Sequence, residues 1–145
     1  VLEKFVKLDQ TENEIKNLGH DFWKIVKSGV HGSKAEHLFV NPGVLAPNGS
    51  WLKLEAHQEL HRSLCDEVHE WVGDLSIKVL SENPERVQVN GIVHWEATIK
   101  ENGNRIVSEV GEQWIIERGI DRKLRWTNYW SDSFTYAKGS AELVL

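Results

Sequence analysis

Cysteine occurs once in these 145 residues, at Cys65, so no disulfide can form within the chain. A reducing compartment is the natural expectation. There is no run of about 18 apolar residues, which excludes a membrane-spanning helix of ordinary length. There is no basic stripe either: the net charge is −5 and the Lys and Arg residues are scattered. A surface that tracks phosphates is therefore not expected, and nucleic acid is not an expected partner. The chain opens on Val1-Leu2-Glu3-Lys4-Phe5, without Met and without the apolar core of a signal peptide. The expectation is a cytoplasmic protein that begins behind a trimmed residue. A nucleophile elbow, a phosphate loop, a paired redox cysteine and a dinucleotide fingerprint are all absent. So are linkers, repeats and low-complexity segments, and the length predicts one domain over residues 1–145.

Tryptophan, by contrast, is abundant. Seven indoles in a chain of this size are more than a core needs, and some are expected to line a cavity or an interface.

The hydrophobic periodicity predicts helices first and strands afterwards. Thr11-Glu12-Asn13-Glu14 reads as a capping box. Ile15, Leu18, Phe22, Ile25 and Val26 follow at helical spacing, to a stop at Gly29. A short second helix is expected over 33–39. A small hairpin is expected over 44–52 around Pro47-Asn48-Gly49-Ser50, and a third helix over 54–71, broken at Gly73-Asp74. Four antiparallel strands then follow: 75–81, 86–100, 105–118 and 124–134. Asn102-Gly103 forms a turn between the second and third of these, Asn90-Gly91 reads as a bulge, and the tail after Tyr136 reads as loose. Helices grouped before a bent antiparallel sheet predict an α+β fold: a curved sheet packed on the N-terminal helices, forming a cone with an internal pocket.

Candidate site residues follow from the faces. On the third helix His57 and His61 share a stripe with Leu60, Leu64, Val68 and Trp71, while Arg62, Ser63, Asp66, Glu67 and Glu70 take the other side. Imidazoles on a core-facing stripe must be paired or must face a wet cavity. One of them, His61, then suits a general acid or base; the other possibility is that both sit at a rim and bond backbone carbonyls. The i, i+4 spacing of His57 and His61 could serve a metal, but Gln58 stands where the zinc-protease pattern requires Glu and no third ligand is evident. No metal is expected.

The last strand alternates, placing Leu124, Trp126, Asn128, Trp130 and Asp132 on one face. Two indoles beside an amide and a carboxylate look like the inside of a small-molecule pocket. In the strand 86–100, alternation sets His94 and Glu96 opposite Val93, Trp95 and Ala97. They face solvent or a subunit interface, unless the bulge at Gly91 turns them inward.

The element order, Gln113-Trp114, the polar loop to Leu124 and the closing Tyr129-Trp130-Ser131-Asp132 together resemble the NTF2-like superfamily, in its SnoaL-like and ketosteroid-isomerase-like branch. The resemblance covers nearly the whole chain. It implies a cone with a pocket between sheet and helices, and a homodimer through the outer face of the sheet. Where the isomerases carry their aspartate base, this chain reads Leu45-Ala46-Pro47-Asn48 and holds no acid. Where epoxide hydrolases of the group carry an Asp-Arg-Asp set, it reads His94-Trp95-Glu96 and Trp126-Thr127-Asn128. A His–acid pair could still move protons.

Two functions stay open. In the first, the cone binds a small, largely apolar molecule and moves a proton without a cofactor. His61 is the acid or base, Asp132 or Glu96 (with His94 beside it) orients the imidazole, and Asn128 bonds a substrate oxygen. His57, Trp126, Trp130 and Trp114 then line the pocket. In the second, the cone is a carrier or a dimerisation module and does no chemistry.

Overall fold

The computed structural model describes residues 2–145, with side chains from residue 10 onward. Helix α1 spans Leu2–Ser28. It starts well before Thr11 because no Gly or Pro interrupts the preceding residues. Thr11 is therefore buried inside the helix instead of capping it. The expected stripe is real: Ile15, Leu18, Phe22 and Val26 are all buried, together with Trp23. Gly29 ends the helix at φ +74°, a left-handed position that glycine adopts without a Cβ penalty. The second helix is a 3-10 helix over Gly32–Leu38, and its first turn is capped by the His31 ring rather than by Ser33.

Strands β1 (Val44–Leu45) and β2 (Trp51–Leu52) form the expected small hairpin. Helix α2 spans only Leu54–Arg62. The expected helix to Trp71 stops at Ser63, whose hydroxyl and N–H both bond the carbonyl of Leu60. Residues 64–72 instead join the expected strand 75–81 in one long strand, β3 (Leu64–Glu82), because β4 offers a full ladder beside them. Tertiary pairing overrides a weak helical pattern here. Gly73-Asp74 thus lies inside a strand. The remaining strands are β4 (Glu85–Ile99), β5 (Arg105–Arg118) and β6 (Leu124–Tyr136). The β5 bounds are those expected, between the Asn102-Gly103 turn and the polar loop.

The sheet order is β2-β1-β6-β5-β4-β3. Neighbours are antiparallel, except for β1 beside β6. Extra residues in β3 (after Cys65, after Val72 and after Val79) and in β6 (at Thr127 and Asp132) bend the sheet around the helices. The bulge expected at Gly91 lies across from it, on β3, while β4 runs beside β5 without a slip. Gly91 lacks a side chain because the Trp71 ring and Leu75 occupy the space a Cβ would need.

The helices fill the concave face, giving an α+β cone with an internal pocket. The larger core cluster joins Phe22, Trp23, Trp114, Trp126 and Tyr129, and a second joins Leu64, Trp95, Ala97, Ile106 and Val110. The tail is not loose: Ala137 and Ala141 bond β5 carbonyls, and Leu143 packs on the second cluster. Among the described residues, no helix is long and apolar enough to cross a membrane.

Candidate functional site

A narrow cavity opens between α2, the concave face of the sheet and the tail. Its walls are mostly apolar, including Trp23, Val93, Trp95, Val110, Phe134 and Leu143. Its polar groups are few: His57, His61, His69, Glu112, Tyr129 and Ser131. An apolar pocket with a handful of convergent polar groups suits a small ligand.

Helix α2 delivers the two imidazoles. Buried Gln58 donates to the carbonyl of Val26 at 3.1 Å. Arg62 grips Glu55 with two bonds and the carbonyls of Gly29 and Val30 with two more. Together they anchor α2 to the end of α1 and turn His57 and His61 toward the cavity. The His57 ring stacks on Phe22, with centroids 5.5 Å apart.

His61 is held at both ring nitrogens. Its Nδ1–H donates to Glu67 Oε1 at 2.8 Å, and its Nε2 lies 3.1 Å from His57 Nε2. The indole N–H of Trp95 donates to the same Glu67 oxygen at 3.0 Å. Burial raises the Glu67 carboxyl, but the hydrogen bond and charge of His61 outweigh it, so Glu67 lies below its ordinary value and stays ionised. Burial, reinforced by the nearby His61, holds His57 neutral, well below the usual imidazole range. The Nδ1–H of His61 is thus committed to Glu67, and one proton lies between the facing Nε2 atoms of His61 and His57. His69 stacks on Trp23 at 4.9 Å. Its Nδ1 is buried and has no partner among the described residues. Burial pushes it down to about 3, against the pull of Glu67.

A second polar group stands on another wall. Glu112 of β5 is buried, accepts from the indole N–H of Trp114 at 3.0 Å, and is bonded by the Ser131 hydroxyl. Burial pushes its carboxyl up to about 8, so it is a neutral acid at pH 7. Tyr129, beside it, accepts from Trp23 Nε1–H at 3.0 Å.

Searches against family models and against curated proteins returned no match. Solved structures are informative. The chain aligns with a hexachlorocyclohexane dehydrochlorinase (LinA-type3) of Novosphingobium barchaimii at a TM-score of 0.66 and 16% identity, covering 96% of this chain and 99% of that one. A proposed scytalone dehydratase of Novosphingobium aromaticivorans aligns at 0.68 and 11%, covering 92% and 88% respectively. A nuclear transport factor 2 (NTF2-like) superfamily protein of Salmonella enterica aligns at 0.66 and 12%, covering 95% and 96%. This chain has the NTF2-like fold.

Within this NTF2-like cone the expected residues divide. His57 and His61 reach the cavity, as the stripe on α2 predicts. The carboxylate that meets His61 is Glu67, not Asp132 or Glu96. Glu67 was expected on the polar side of a helix, but it lies in a strand, on the inward face with His69 and Trp71, just past an extra residue at Asp66. His94 and Glu96 bond each other at 2.8 Å on the outer face, where simple alternation puts them. The alternation of β6 fails at the extra residue Thr127: Trp126 points in, then Tyr129 and Ser131 do, while Asn128 is exposed and Trp130 turns outward with it. Asp132 is the next extra residue, and its carboxylate lies over Gly111 and accepts from Ser133. Trp126 and Trp114 are both fully buried, as core behind the cavity and not as its surface. Sequence reasoning missed Glu67, His69, Glu112 and Tyr129. For Glu112 a signal existed: it alternates with Val110, Trp114 and Ile116 on one face of β5.

Proposed function

We propose that this chain binds a small, largely apolar molecule in the cavity and moves a proton on it, as an isomerase, dehydratase, cyclase or hydrolase would. The observation that carries the reading is His61, backed by Glu67 on the wall of an apolar cavity. An imidazole oriented by a carboxylate is a general base that becomes a stabilised cation when it takes a proton. In the loaded site a substrate C–H or O–H takes the place of His57 at His61 Nε2. The proton passes to Nε2, and Glu67 balances the new charge. Glu112, neutral at pH 7, donates its O–H to the substrate oxygen or leaving group where negative charge gathers. Only His57 has to give way; His61, Glu67 and Glu112 act from where they stand. Two of the structural relatives bear the names of elimination enzymes, which is in keeping with proton abstraction as the first event. The SnoaL-like branch, a cytoplasmic setting and a homodimer through the outer face belong to the same proposal. Val72 and Ile92, opposite each other on that face and exposed, suit such a contact.

The test is a screen of small cyclic ketones, alcohols and halides against the wild type, His61→Ala and Glu67→Gln. The expected result is turnover by the wild type, a loss of about 100-fold or more in His61→Ala, and a smaller loss in Glu67→Gln. Turnover undiminished in His61→Ala would overturn the reading. A non-catalytic carrier is the second reading, and one observation favours it: both nitrogens of His61 are already paired. Saturable binding without turnover, equal in all three proteins, would establish it.

A further inference from the structure

The site depends on a bulge. Cys65 pairs with Thr98 and Val68 pairs with Glu96, so β3 spends one more residue than β4 between these points. The extra residue is Asp66, at φ +50°, a left-handed conformation uncommon for a residue with a side chain. Counted from inward Leu64, unbroken alternation would put Asp66 inside and Glu67 outside; the extra residue brings Glu67 into step with His69 and Trp71 on the face of His61. With it, the Glu67 carboxylate meets both His61 and Trp95.

One side chain grips this bulge from outside the pocket. Arg105, at the start of β5, donates from Nη1 to the carbonyl of Asp66 at 2.8 Å and to Thr98 Oγ1 at 2.9 Å. Its Nε reaches Glu96 Oε1 at 3.4 Å, and the other Glu96 oxygen accepts from His94. The guanidinium thus ties the strained peptide of β3 to β4 from a neighbouring strand. A planar, permanently charged group is suited to that role.

We propose that Arg105 is a positioning residue: it holds the Asp66 bulge and so keeps Glu67 aimed at His61. This rests on the His61–Glu67 pair invoked above. It adds a function for the outer-face cluster His94–Glu96–Arg105, which does not touch the cavity.

The test needs no substrate. The full chain is labelled with ¹⁵N-histidine, and the His61 Nδ1–H resonance is followed in the wild type, Glu67→Gln, Arg105→Ala, and Arg105→Ala combined with Asp66→Gly. In the wild type this proton is expected downfield and protected, and Glu67→Gln should shift it. Arg105→Ala should lose the resonance, or speed its exchange with water about tenfold, as for one lost hydrogen bond to a charged group. The thermal midpoint of each variant checks that the fold persists. Glycine accepts a positive φ without strain, so Asp66→Gly should restore the resonance in the Arg105→Ala background. A protected resonance unchanged in Arg105→Ala would overturn the proposal and leave the pair intact. The same holds if the resonance is lost in Arg105→Ala and not restored by Asp66→Gly. A wild-type protein without any protected His61 N–H would overturn the pair itself, and the proposal with it.

Discussion

Glu112 sets the energetic tone of the pocket at the scale of single residues. Its wall is made of indole, phenol and aliphatic side chains, and burial there raises its carboxyl from the ordinary 4.5 to about 8. Between those values the unfolded chain gives up the proton and the folded chain keeps it. Folding stability contributed by this group therefore falls as pH rises from 4.5 to 8 and is level above. Glu112→Gln keeps an acceptor for Trp114 and removes the titration. The variant is expected to be more stable than wild type at pH 8 by on the order of a few kcal/mol, with the advantage shrinking toward pH 4.5. Urea unfolding of both proteins across that range measures it. Equal pH dependence in the two proteins would show Glu112 ionised and solvated.

Elements show where reading the chain succeeds and where it stops. Strand β5 was legible to the residue, because Asn102-Gly103 marks its start and Ile106, Val110, Trp114 and Ile116 alternate without interruption. The inward side of α2 was legible for the same kind of reason, from the spacing of His57, Leu60 and His61. Strand β3 was not: Leu64 to Trp71 fits a helical stripe, and only the ladder offered by β4 decides for strand. The faces of β6 were not legible either, since an extra residue at Thr127 leaves no mark in composition yet reverses the side chains from Asn128 to Ser131, until the extra residue at Asp132 reverses them back. Positions of bulges, not types of elements, account for most of the misplaced site residues. The bend of the sheet has one measurable support. Gly91→Ala would push a methyl to 2.7 Å from Leu75 and 2.8 Å from the Trp71 ring. It is expected to cost about 1–3 kcal/mol, as overpacking does, in a chemical denaturation curve. A change of only a few tenths would mean that Trp71 moves aside freely.

For the whole molecule, two opposing sets of buried groups shape stability against pH. His57 and His69 are neutral in the folded state, lowered from the ordinary 6.5, and His69 lies near 3. Below pH 6.5 the unfolded chain takes up protons that these rings refuse, so stability is lost as pH falls from 6.5. Glu67, lowered from its ordinary 4.5, adds to the loss below that value. Glu112 acts in the opposite sense up to about 8. Two rising contributions exceed one falling contribution until the histidines are finished, so the maximum is expected near pH 6.5. A series of thermal melts from pH 4 to 9 checks this (about one-unit steps suffice, given titrations spread over several units). A maximum at pH 5 or below would mean that His57 and His69 are charged in the folded protein.

The indoles around the cavity also make it a sensor. Trp23 lies flat against His69, and Trp95 spends its N–H on the carboxylate that holds His61. Both line the space a ligand would fill. Anything that enters, displaces a ring or moves a proton there changes the polarity and quenching felt by these two chromophores. Their emission can therefore be titrated against candidate compounds without a label and before any product is known. Substituting each in turn with Phe would separate their signals from those of the other tryptophans.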